Sequence, residues 1–125
     1  MEKKKVLVVE DDMVLNKALN EFLTAEGFEV VVAIDGEEGL RMAAEAKPDI
    51  VLLDIIMPKK DGYEVIREMK ADEKMKNIPI ILLTNLGSVN DVEKALDLGA
   101  TTYLVKADYK LEEITQKIKS VLGMI

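Results

Sequence analysis

The stretch DIVLLDIIMPKKDG, residues 49–62, runs four apolar residues straight into a carboxylate, Asp54. Ile55 and Ile56 follow, then Met57-Pro58 and a polar return to Gly62. Four apolar residues in a row, without polar alternation, fit a strand covered on both faces, as in a parallel sheet. An acid at the end of such a strand sits where burial is expensive unless something nearby compensates its charge.

Working outward, residues 50–53 are one of five short apolar runs; the others are 6–9, 28–33, 80–83 and 103–105. Between and after them the apolar period becomes helical. Leu15, Ala18, Leu19, Phe22 and Leu23 form one stripe. Leu40, Ala43 and Ala44 form a second, Val65, Ile66 and Met69 a third, and Val92, Ala95 and Leu96 a fourth. The last is Leu111, Ile114, Ile118, Val121 and Leu122. The punctuation agrees. Asp12, Asp35 with Glu38, and Ser88 with Asp91 suit helix N-caps. Gly27 and Gly99 stand where the first and fourth helices should stop, Pro48 closes the second, and Pro79 opens the fourth strand. Five strand–helix units predict one doubly wound α/β domain over residues 1–125, with a five-stranded parallel sheet in the flavodoxin-like order 2-1-3-4-5.

Composition narrows the chemistry. The 125 residues are 49% hydrophobic, enough for a single core, and the net charge is −7. That charge predicts no direct nucleic-acid binding, which wants a basic face. With no cysteine and no histidine, thiolate and imidazole chemistry are excluded. No apolar run approaches membrane-spanning length, so a cytoplasmic protein without a membrane partner is expected. The seven methionines read as core filler and the Lys3-Lys4-Lys5 run as a solvated start.

In an open parallel sheet, function collects beyond the carboxyl ends of the strands. There the sequence places Glu10, Asp11 and Asp12 after the first strand, Asp54 after the third, Thr84 at the end of the fourth and Lys106 at the end of the fifth. Crowded carboxylates repel and call for a cation; an oxygen-only set suits Mg2+. Asp54 can then serve as a nucleophile toward a phosphoryl group, with Lys106 as a second positive charge and the Thr84 hydroxyl as a hydrogen-bond donor. Each residue alone has a plainer reading: a cap, a turn acid, a β-branched strand residue or a solvated lysine.

Together, and in this order, the segments VVEDD, LLDIIMPKKDG, LLT and YLVK resemble the receiver domain of bacterial two-component response regulators over nearly the whole chain. The resemblance implies Asp54 as phosphoacceptor. It implies Glu10, Asp11, Asp54 and the backbone carbonyl of Ile56 as the Mg2+ site, with Asp11 a direct ligand. Thr84 and Tyr103 match the family's switch residues. A histidine kinase or phosphotransfer protein is the implied donor. The surface of the fourth helix, fifth strand and fifth helix is the implied contact for a downstream protein target. Two positions depart from the family's pattern. Ala107 follows Lys106 where proline is usual, and Asn85 follows Thr84 where a very small residue is usual. The apolar Ile56 and Leu86 flank the family's path for hydrolytic water, which implies a long-lived phosphorylated form.

A phosphatase of the haloacid-dehalogenase type would want a second acid two residues after Asp54, where Ile56 stands. A flavin or nucleotide site would want a glycine-rich loop after the first strand, and none is there. A receiver-like scaffold that is never phosphorylated would have no need of mutually repelling acids.

Overall fold

The computed structural model describes residues 3–55, 60–84, 89–105 and 110–124. Five strands, β1 (Lys5–Val9), β2 (Glu29–Ala33), β3 (Ile50–Asp54), β4 (Ile80–Thr84) and β5 (Thr102–Val105), alternate with five helices. The helices are α1 (Met13–Ala25), α2 (Gly36–Ala46), α3 (Gly62–Ala71), α4 (Val89–Leu98) and α5 (Leu111–Val121). The sheet is parallel throughout, in the order β2-β1-β3-β4-β5.

Side chains alternate across each strand, so every buried strand feeds two cores. Leu7, Val9, Val51, Leu53, Ile80 and Leu82 meet α2, α3 and α4 through Ala43, Val65, Ile66, Met69 and Ala95. Val6, Val8, Ile50, Leu52, Ile81 and Leu83 meet α1 and α5 through Leu19, Leu23, Ile114 and Ile118. The unbroken apolar runs of β1, β3 and β4 are the strands covered on both faces. β2 lies at the edge, and its first residue, Glu29, is exposed.

The helix ends follow local chemistry. Asp12 accepts from the amides of Val14 and Leu15, and Asp35 from that of Glu38. Gly27 (φ 97°) and Gly99 (φ 122°) take left-handed conformations after α1 and α4. The proposed cap at Ser88 lies outside the described residues. A further cap, Asp61 accepting from the Glu64 amide, starts α3 and was legible as an acid three residues ahead of another.

Three sequence expectations shift. Phe28 is buried but precedes β2, which begins at Glu29. Leu96 is 36% exposed, because the α4 stripe turns only Val92 and Ala95 inward. Among the described methionines, Met69 and Met75 fill the core, whereas Met13 and Met124 are exposed near the ends of helices.

Candidate functional site

Strand register brings the acids together. Val9 pairs with both Ala33 and Leu53, so the residues that follow on the two central strands, Glu10 and Asp54, stand at the same height on the carboxyl rim. Glu10, Asp11 and Asp54 each offer a carboxylate oxygen, and the three oxygens lie within 4.8 Å of one another. Glu10 is fully buried, Asp54 is 7% exposed, and Asp11 is open to solvent. Two inward acids and one outward acid make a half-open, all-oxygen site. That donor set fits a hard divalent cation that keeps several waters, as Mg2+ does.

The turn carrying Glu10 is tied down from three sides. Its amide donates to the Ala33 carbonyl at 3.0 Å. The Asp12 amide donates to Glu10 Oε2 at 3.1 Å. The Asn16 side-chain amide then donates to the carbonyls of Glu10 and Ala33, at 2.9 and 3.2 Å. Asn16 is buried in the first turns of α1, and it was missed in the sequence. The available signal was its place in the series Asn16, Leu19, Leu23, where a polar residue stands on the helix face that packs inward. Asn16→Leu keeps the branched outline of the side chain but removes both hydrogen bonds, leaving the Glu10 carbonyl without this partner. We expect a loss of about 1–3 kcal/mol in urea denaturation; an unchanged midpoint would mean the two bonds do not hold this turn.

On the other side of Asp54, β4 supplies Thr84. Asp54 registers with Leu83, and Thr84 is the next residue along. Thr84 is 3% exposed, and its Oγ1 has no hydrogen-bond partner among the described residues. A buried hydroxyl without a partner is costly, and an oxygen-rich group arriving at the rim would satisfy it. Thr84 registers with Val105, which places the end of β5 beside it. Lys106, at that end, lies outside the described residues, as do Ile56, Asn85, Leu86 and Ala107. Tyr103, within β5, is 42% exposed.

Behind Asp54 the chain is pinned by Gly62, the first residue of α3. Its amide donates to the Ile55 carbonyl at 2.6 Å. A Cβ at this position would stand 2.7 Å from the Asp54 carbonyl oxygen and from Ile55 Cα, so only glycine lets α3 begin this close to the strand end.

A family model described as the response regulator receiver domain matches residues 6–119. The chain belongs to the response regulator receiver family. This receiver is 44% identical over 120 residues to a probable transcriptional regulator ycf27 of Guillardia theta, a match spanning 96% of this chain and 46% of that protein. It is 32% identical to the DNA-binding dual master transcriptional regulator RpaA of a Synechocystis strain, over 94% of this chain and 48% of that one. Among solved structures it matches the receiver domain of the sensor histidine kinase PA1611 from Pseudomonas aeruginosa, which has a magnesium ion coordinated in its active site cleft. That likeness has a TM-score of 0.89 at 31% identity, over 98% of this chain and 99% of the other. The chain thus spans about half the length of the curated relatives it matches.

The relatives correct one expectation. Net charge predicted that nucleic acid is no partner, yet the relatives are named transcriptional regulators, and one of them is named DNA-binding. A charge of −7 describes these 125 residues, about half the length of the matched regulators, and it does not exclude nucleic acid as a partner. Among the described residues no helix is long and apolar enough to cross a membrane.

Proposed function

We propose that residues 1–125 form one receiver domain in which Asp54 takes a phosphoryl group from a histidine kinase or phosphotransfer protein in the cytoplasm. The observation that carries this reading is the convergence of Glu10, Asp11 and Asp54 on one point at the sheet rim, one strand from a buried Thr84 hydroxyl that has no partner among the described residues.

An Asp54 carboxylate oxygen attacks the phosphorus of a phosphohistidine. The O–P bond forms as the P–N bond breaks, and the imidazole leaves with the bonding pair and takes up a proton. Glu10, Asp11, Asp54 and the Ile56 backbone carbonyl would hold Mg2+, which would supply positive charge against the phosphoryl oxygens. Asp11, the exposed member, would be its solvent-facing ligand, and buried Glu10 would close the inner side. The Thr84 hydroxyl donates a hydrogen bond to a phosphoryl oxygen, which gives this buried group a partner. Lys106 supplies a second cation to the same oxygens.

The phosphorylated state is read through α4, β5 and α5. Thr84 ends β4, which leads into α4, and Tyr103 on neighbouring β5 is exposed in this state and turns inward when Thr84 moves. The domain acts as a switch rather than an enzyme: it phosphorylates itself from a donor and loses the group slowly. Intact mass after incubation with acetyl phosphate tests the proposal. One phosphoryl group should be gained with Mg2+ present and none when the metal is chelated. Equal gain with and without metal would remove the acidic cluster from the chemistry.

A further inference from the structure

A second glycine, on a different helix, abuts Lys60, two residues before Gly62. Gly36 is the first residue of α2, and a Cβ there would overlap the carbonyl oxygen of Lys60. It would also stand 2.6 Å from Lys60 Cβ and 2.7 Å from the Lys60 carbonyl carbon. Real Cβ atoms do not come this close to backbone, so the helix and the segment share this place only because residue 36 has no side chain.

Which side would yield is decided by what each is tied to. α2 is capped by Asp35 through the Glu38 amide. It lies so close to β1 that a Cβ on Gly39 would stand 2.9 Å from Val9 Cγ1. Val9 belongs to the central strand that carries Glu10. The helix is therefore seated on the sheet and has little room to retreat. The chain entering α3 is held by the Gly62 amide on the Ile55 carbonyl and by the Lys60–Glu68 ion pair at 2.5 Å. That ion pair is half open to solvent, and the Glu68 carboxylate, helped by Glu37 and Glu64, holds the Lys60 ammonium above its ordinary pKa. It is the softer restraint. A side chain at position 36 would push Lys60, and with it Gly62, which stands against the Asp54 carbonyl and Ile55.

We infer that Gly36 is a positioning residue for the metal and phosphoryl site. The bare N-terminus of α2 is the wall against which Lys60 is set, and filling it displaces Lys60 and, through Gly62, the end of β3 at Asp54. This rests on the proposed reading of Asp54 and the acidic cluster. Positioning partners of metal ligands typically contribute about 10–100-fold to affinity. Gly36→Ala should therefore weaken Mg2+ binding, measured by calorimetry with the metal alone, by about tenfold or more.

Gly27→Ala serves as the comparison. It forces a side chain into φ 97° at the opposite rim of the sheet, so it should lower the thermal midpoint and leave Mg2+ affinity unchanged. Should Gly36→Ala not fold, the native protein still answers: on Mg2+ titration the Gly36 amide resonance should shift and that of Gly27 should stay. Equal affinity in native and Gly36→Ala protein, or a Gly36 resonance indifferent to Mg2+, overturns the inference while leaving the site intact. A native protein that takes up no Mg2+ overturns the site and this inference together.

Discussion

Asp54→Asn should abolish phosphorylation altogether. Asparagine keeps the shape of the side chain and replaces the attacking carboxylate oxygen with a neutral amide, so no acyl phosphate can form. The other acids of the cluster do not substitute. Glu10 is fully buried and already accepts the Asp12 amide, and Asp11 faces solvent. Intact mass after acetyl phosphate and Mg2+ should show no gain in the variant under conditions that load the native protein. The fold should survive, because the substitution removes one charge from a cluster of three and adds no bulk. A mass gain like that of the native protein would place the phosphoryl group on another residue.

Asp11→Ala has the second-largest expected effect. Asp11 is the member of the cluster exposed to solvent, so its loss opens no cavity and breaks no core contact. As the proposed direct ligand it should contribute more than an outer partner does. Mg2+ affinity by calorimetry should therefore fall beyond the roughly 10–100-fold that loss of an outer partner costs. In the absence of metal the same variant should be slightly more stable to urea than the native protein, because one of three mutually repelling charges is gone. The two effects have opposite signs, which separates loss of a ligand from general damage. Equal Mg2+ affinity in the variant would exclude Asp11 from the site.

What the chain reveals unaided depends on how local each determinant is. The unbroken runs of β3 and β4 announce strands buried on both faces, and the helical stripes between them leave few topologies. Strand ends that close on Glu10, Asp11, Asp54 and Thr84 are equally local, and in a parallel sheet the ends of neighbouring strands share one rim. The edge strand was less legible: β2 is only partly covered, and Phe28 packs into the core before the strand begins. Leu96 shows the limit of a stripe read over one turn, since a helix face is set by what it meets. Asn16, Gly36 and Gly62 were not singled out for the parts they take. Each matters through a contact with residues distant in sequence, such as Ala33 for Asn16 or Lys60 for Gly36. The charge argument over nucleic acid failed differently, because net charge describes a surface and the relatives' names concern proteins twice this length.

The most direct test of Asp54 as phosphoacceptor is chemical location of the phosphoryl group. The native protein would be loaded with acetyl phosphate in Mg2+, the acyl phosphate reduced with borohydride, and the digest mapped by mass spectrometry. The reduced residue should be found at position 54, only in the phosphorylated sample and only when Mg2+ was present. Reduction at Glu10, Asp11 or any acid outside the cluster, with position 54 unmodified, would contradict the account.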